Sequence, residues 1–322
     1  QDKAGLPGYG YVHEQHGAYA DYGRKSQASP WLPRPLVKRV RSEPDFRRQM
    51  TDQLHRVVQL SPIFKRFYAH QPLSPDLIWI VLVEGLTNAY PPYDYNEVIR
   101  KRPGAVDLDE SQQDYVRLLG PDKNPERRIR WLEPYRDPLK GIWMSSCVAP
   151  LYAGERFLGT VGMDILLHSI TEQVLDLESK QAGYAFLVSA TGKLIATTRQ
   201  GVADLCWNPE HRDALLQTFL PPTEQSWTPA RVKALSDLSL VASPVEPVAD
   251  LLAHMLAGGR AVVGLSLAGQ RKVVAYAPVE SVGWALAIVL EEDAIVASAG
   301  AIRAVIHQGT EGVMRQFALF AD

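Results

Sequence analysis

The stretch from Ile142 to Leu167, IWMSSCVAPLYAGERFLGTVGMDILL, constrains the fold more than any other part of the chain. Ile142 to Tyr152 is rich in β-formers, Ala153-Gly154-Glu155 turns the chain, and Arg156 to Leu166 runs back. The pattern predicts a β-hairpin followed by the start of a helix. Two glycines (Gly159 and Gly162) and one acid (Asp164) interrupt an otherwise apolar return strand. Glycine inside a strand costs stability and marks a place where another group comes close to the backbone. A carboxylate at the end of such a strand must be solvated or paired, because a lone buried charge is expensive. The hairpin is built to present one charge at a chosen place.

The bulk composition sets few further limits. At 322 residues the chain is long enough for two modules or one large domain. A net charge of −2 implies no polyanionic partner, so no nucleic acid is expected. Cys147 and Cys206 lie far apart and match no metal or redox spacing, and they read as buried thiols. No apolar run approaches the roughly 18 residues that span a bilayer, and no signal peptide is visible. The chain opens on Gln1 rather than Met, which fits a mature product or an excised fragment of a longer parent.

Residues 1–32, rich in Gly, Tyr, His and Pro without periodicity, are expected to be irregular. His13-Glu14-Gln15-His16 lacks the i, i+4 spacing of a zinc-binding helix, and no metal or other cofactor is expected. From Ser42, a plausible N-cap, the pattern becomes helical, with Phe46, Met50, Leu54, Val57 and Val58 on one face. Arg47, Arg48 and Arg56 decorate the other, as a solvated basic face or a contact with an anionic membrane surface. Leu77 to Val83 reads as a buried strand, Glu84-Gly85 as a turn, and Leu86 to Tyr90 as the return. Residues 93–141 form a long polar connection whose second half is dense in Arg and aromatic residues. Long connections in compact domains usually carry function or are disordered.

After the hairpin, His168 to Lys180 reads as a helix, and Tyr184 to Ser189 and Lys193 to Thr197 as two more strands of the first module. Residues 199–245 suit a connection between modules. Glu246 to Leu256 is helical and closes at Gly258-Gly259. Three strands follow, over Arg260–Leu267, Lys272–Pro278 and Trp284–Leu290, and the tail from Ala294 to Phe320 reads as helix.

The two sheets repeat one design. A strand enters Ala149-Pro150-Leu151-Tyr152 and a glycine-rich strand returns; later, Ala275-Tyr276-Ala277-Pro278 is followed by Gly283-Trp284-Ala285-Leu286. With Trp131 to Asp137 and Gly183 to Gly192, this series resembles the double Cache family of extracytoplasmic sensor domains over about residues 42–292. The resemblance implies an α+β fold: a long N-terminal helix plus two PAS-like modules, each with a central antiparallel β-sheet. The implied divisions are an irregular arm over 1–41 and a helix region over 42–76. A membrane-distal, ligand-binding module covers 77–200, and a connection covers 201–245. A membrane-proximal module covers 246–292, and a helix toward the membrane covers 293–322. Pro33, Pro35 and Pro44 depart from the pattern, since proline is poorly tolerated inside a helix.

The resemblance also implies a parent anchored in a bacterial inner membrane: a sensor histidine kinase, a chemoreceptor or a cyclic-dinucleotide enzyme. This chain would be its periplasmic part, dimerising through the N-terminal helix. A small zwitterion or carboxylate needs Arg, hydroxyl or N–H donors for its anionic end, and a carboxylate with aromatic faces for an ammonium. Arg128 and Arg130 could meet an anion, Trp131 and Tyr135 could form walls, and Asp137 and Asp164 could take a cation. Tyr135-Arg136-Asp137 and Asp164 match the pattern of the family's amino-acid-binding members, while Ile129 stands where they carry Arg. An amine, an amino acid and a small carboxylate all remain open as ligands. Structural readings stand beside these: Trp131 as core, Tyr135 and Asp137 as stitches of the long connection, Asp164 as a helix cap, Arg127 and Arg128 as solvent-facing. On the first strand of the hairpin Ser145 and Cys147 alternate with Met144 and Ser146, and the first pair is expected to face the site. The second module offers Tyr276 and Trp284 but few convergent charges, so a packed core is expected there.

No enzyme is read in this chain. Gly264-Leu265-Ser266-Leu267-Ala268 fails as a nucleophile elbow at its last position, and no phosphate loop, Rossmann fingerprint or HExxH is present. The expectation is a ligand-sensing domain, the alternative a free periplasmic binding or adhesion protein.

Overall fold

The computed structural model describes residues 11–13, 17–19, 29–71, 75–92, 94–170, 183–205, 240, 243 and 245–292. The chain divides into two compact units. The first draws on the described residues up to Leu132, with Arg136–Gly141 and Ser146–Ile165. The second draws on Glu133–Tyr135, Ile142–Ser145 and the described residues from Leu166 onward. Each is an antiparallel sheet with helices, as the α+β expectation requires. Among the described residues no helix is long and apolar enough to cross a membrane.

Among the described residues the first sheet has nine strands. Its middle is β4 (Leu77–Leu82) and β9 (Arg156–Leu166), flanked by β5 (Thr87–Tyr90) and β8 (Trp143–Ala153). Beyond β5 lie β3 (Trp31–Leu32), β2 (Gly17–Tyr19) and β1 (Tyr11–His13). These last three correct the expectation of an irregular arm: strands too short for a readable period still pair, Trp31 with Thr87 and Tyr19 with Trp31. Trp31 is buried and stacks on Tyr95 with centroids 4.6 Å apart. Two-residue strands β6 (Arg130–Trp131) and β7 (Tyr135–Arg136) pair with β8.

The expected long N-terminal helix is three helices: α1 (Arg34–Ser42), α2 (Pro44–Val58) and α3 (Ser61–Tyr68). Each carries a proline at its start, the position where a missing N–H costs nothing. Ser42 belongs to α1, donating to the Lys38 carbonyl, and Glu43 precedes α2. Phe46, Met50, Leu54 and Val57 form the buried face of α2, as their spacing predicts.

The α2–α3 junction is tied to β5 by Asn88, a fully buried side chain. Its Oδ1 accepts the Ser29 N–H at 2.9 Å, and its Nδ2 donates to the Val57 carbonyl at 2.9 Å and the Ser61 hydroxyl at 3.1 Å. Asn88→Ala should cost about 2–4 kcal/mol in urea unfolding, because it strands a buried N–H and leaves a void.

The polar connection folds into short pieces: α4 (Tyr95–Lys101), 3-10 turns over Pro103–Asp107 and Glu110–Gln112, and α5 (Asp114–Arg117). Asp94 caps α4 by accepting the Glu97 N–H.

Among the described residues the second sheet has five strands, in the order β11 (Leu194–Thr197), β10 (Gly183–Val188), β14 (Trp284–Glu291), β13 (Gln270–Val279) and β12 (Ala261–Leu267). β10 and β11 were expected in the first module. They belong to the second, because β10 pairs over its whole length with β14. β12 and β13 complete the sheet. Helices α6 (Arg199–Leu205) and α7 (Glu246–Leu256) pack on it. The helix expected over His168–Lys180 is described only at its start, where 167–170 are helical. Most of the connection over 201–245 and the expected helix over 293–322 lie outside the described residues.

Candidate functional site

The hairpin and β4 bring three polar groups together inside the first unit. Asp164 is 3% exposed, and its Oδ1 accepts hydrogen bonds from the Trp79 indole at 2.7 Å and the Ser146 hydroxyl at 2.6 Å. Its other carboxylate oxygen accepts no hydrogen bond among the described residues. The register explains the meeting: Leu77 pairs with Asp164 and Trp79 with Gly162, so Trp79, Gly162 and Asp164 share one face. Gly162 is what admits the indole. A Cβ there would fall 2.3 Å from Trp79 Cζ2. Gly159, with φ +140°, lets the chain pass the Val81 carbonyl, which a Cβ would meet at 2.1 Å. Both glycines stand where another group approaches, as the sequence implies.

From Trp79 the site extends to the polar connection. Tyr115 packs on the indole with ring centroids 5.1 Å apart, and its hydroxyl donates to Glu110 Oε2 at 3.4 Å. Glu110 is a second carboxyl, half-buried on its 3-10 turn. Asp137 is a third, 9% exposed, accepting the Lys140 backbone N–H. The Lys140 ammonium pairs with Asp76.

These carboxyls feel one another. Burial pushes Asp164 up to about 7, its two hydrogen bonds oppose the rise, and Asp137 and Asp76 add to it. Burial pushes Glu110 up to about 8, with Asp137 and Asp164 raising it further. Burial likewise raises Asp137 against the Lys140 contacts. Like charges crowded in a dry place resist ionising together.

The other expected site residues fall elsewhere. Arg128 is exposed and pairs with Glu126, and Arg130 is exposed and donates to the Lys123 carbonyl. Arg127 pairs with Glu155 and lies over the Tyr152 ring. No arginine of this run joins Asp164 among the described residues, and Ile129 is exposed. Trp131 is half-buried and pairs with Cys147 across β6 and β8. The choice between alternating pairs on β8 falls the other way from the expected one: Ser146, not Ser145 or Cys147, meets Asp164. Adjacent residues on a strand point to opposite faces, so Ser146 excludes its neighbours from that role. Burial pushes the half-buried Cys147 thiol up to about 12. Tyr135 is half-buried and Ser145 fully buried, and both fall in the second unit. Asp164 caps no helix among the described residues, since its carboxylate accepts from Trp79 and Ser146 and from no backbone N–H.

Sequence reasoning missed Trp79, Glu110, Tyr115 and Ser146. Trp79 sits in an unbroken apolar run and reads as core. A signal for Glu110 and Tyr115 existed in the length of the polar connection, though not in its pattern. Among the described residues no cluster of His, Cys, Asp or Glu has the arrangement of a metal site.

No family model matches the chain, and no curated protein matches it. Solved structures do. The extracellular domain of the histidine-kinase candidate mmHK1S-Z3 is 18% identical, with 74% of this chain and 80% of that one covered, at a TM-score of 0.46. The ligand-binding domain of the Pseudomonas fluorescens chemoreceptor CtaA, solved with L-alanine, is 17% identical over 69% and 74%, at 0.42. That of the Pseudomonas aeruginosa amino acid chemoreceptor PctB, solved with L-Arg, is 19% identical over 76% and 78%, at 0.41.

Proposed function

We propose that this chain is an extracytoplasmic ligand-sensing domain of a membrane receptor, such as a sensor histidine kinase or chemoreceptor, and that its first unit binds a small amine-bearing ligand. One observation carries the choice of ligand. The buried carboxyls Asp164 and Asp137 and the half-buried Glu110 raise one another's pKa, with Trp79 on Asp164 and Tyr115 on Glu110, while Arg127, Arg128 and Arg130 are engaged elsewhere. Such a site favours an ammonium over a carboxylate. Binding acts on signalling only through a difference in affinity between two states of the receptor.

The test is a thermal-shift panel of primary amines, amino acids and small carboxylates, followed by calorimetry on the hits. Amines should raise the melting temperature, and Asp164→Asn should weaken them about thirtyfold or more. A ligand that binds Asp164→Asn or Asp164→Ala with full affinity defeats the site assignment, and a panel in which only carboxylates bind defeats the choice of ligand.

The acid pKa values give a second expectation. Folded Asp164 and Glu110 titrate near 7 and 8, above their ordinary 3.8 and 4.5. The folded state therefore holds protons that the unfolded chain has lost. The apo protein should lose stability as pH rises from about 4 to about 8. An ammonium needs the ionised carboxyls, so amine affinity should rise over about pH 6 to 8 with protons released on binding. Calorimetry in buffers of different ionisation enthalpy reads that release directly; proton uptake on binding would contradict it.

A further inference from the structure

The second sheet ends on a strand without the usual protection. β12 is the edge, and its outer side pairs with no strand among the described residues. It runs AVVGLSL from Ala261 to Leu267 in unbroken register with β13, closed by the two-residue turn Ala268-Gly269. Natural edge strands carry lysine, proline or a bulge to block further pairing. This one has no charge, no proline and no break in register. Val262 is 60% exposed, and Gly264 and Ser266 share its outward face.

Gly264 is the second observation. Mid-strand glycine costs stability and needs a reason. Gly159, Gly162 and Gly183 have one, since a Cβ on each would strike a neighbour within 2.3 Å. At Gly264 a Cβ would meet no described atom within 4 Å. The close approach that would call for a glycine here is not made by the described residues of its own chain.

We propose that β12 pairs antiparallel with β12 of a second copy, about a two-fold axis at Gly264, joining two five-stranded sheets edge to edge. In that register Gly264 faces its own copy, Val262 faces Ser266, Val263 faces Leu265 and Ala261 faces Leu267. Arg260 faces Ala268, and its guanidinium is already paired with Glu280. No like charges are opposed, and the two glycines meet where the strands cross. This interface differs from a dimer through the N-terminal helices and does not depend on what the first unit binds.

The test reads register as well as mass. Sedimentation should find a concentration-dependent dimer of the wild-type chain. The double substitution V262D/S266D sets acids against acids twice and should weaken the dimer about tenfold. V262D/S266K sets acid against base twice and should keep it. Both positions are exposed, and matching melting curves will show that neither pair disturbs the monomer. Mild oxidation of Gly264→Cys should give a disulfide-linked dimer, since its copy lies directly opposite, and Val262→Cys should give far less. A wild-type chain that stays monomeric at high micromolar concentration, or a dimer indifferent to V262D/S266D, overturns the proposal. So does cross-linking that Val262→Cys gives as readily as Gly264→Cys.

Discussion

Lys272→Met should destabilise the second unit by about 3–5 kcal/mol, a large share of the stability of a domain this size. Lys272 is 2% exposed, on the inner face of β13. Its ammonium lies 3.0 Å from Asp204 of α6, whose side chain is equally buried, and 3.9 Å from the half-exposed Glu291. Gln200 donates to the other Asp204 oxygen at 2.8 Å. Burial first, then the Asp204 charge, pushes the Tyr184 phenol upward, and Lys272 stands 5.8 Å from the centre of that ring. Removing the lysine leaves a carboxylate in a dry interior with one amide as partner. The magnitude comes from that stranded charge and not from the worth of the pair, since buried ion pairs exchanged for apolar residues are often neutral. The double substitution K272M/D204L should therefore recover most of the loss. Urea unfolding of the two variants separates the cases. A Lys272→Met variant within about 1 kcal/mol of wild type would mean that water reaches Asp204.

This pair also shows where the sequence stops being readable. The second sheet was expected to hold few convergent charges, because Lys272 opens a strand and Asp204 lies in a stretch that reads as a connection. They meet only because α6 packs back on β10 and β11, a long-range fact with no local trace. Local patterns did better. The hairpin, β4 with β5, α7 and the three closing strands follow from period, turn residues and glycine placement. The strand pair β10–β11 is legible, but sequence adjacency places it with the nearer hairpin, and only its register with β14 puts it in the second sheet. At the site, Asp164 is legible as an acid in an apolar strand and Asp137 as one near Trp131 and Tyr135. Glu110 was hidden in a 3-10 turn, and the alternation on β8 offered two faces with nothing local to choose between them.

Gly162→Val should change stability and the titration of the site together. The new side chain would occupy the space of the Trp79 ring, 2.3 Å from its nearest carbon at the Cβ alone. Neither strand can move away, because β4 and β9 pair from Leu77–Asp164 to Leu82–Gly159. The indole must turn out, at an overpacking cost of about 1–3 kcal/mol. Its N–H then leaves Asp164, forfeiting about 1.5–3 kcal/mol more for a hydrogen bond to a carboxylate. That bond also holds the Asp164 pKa down, so its loss sends the acid still higher. The variant should melt earlier, change its tryptophan fluorescence, and bind an amine only at higher pH than wild type. Gly159→Ala is the comparison. It strains the same strand, at φ +140° and against the Val81 carbonyl, yet it leaves the Trp79–Asp164 bond alone. It should cost stability without moving the pH dependence of binding. If both glycine variants shift that dependence equally, Asp164 is governed by the strain of β9 and not by the indole. If Gly162→Val alone does, the glycine in the return strand is there to seat the tryptophan that tunes the carboxylate.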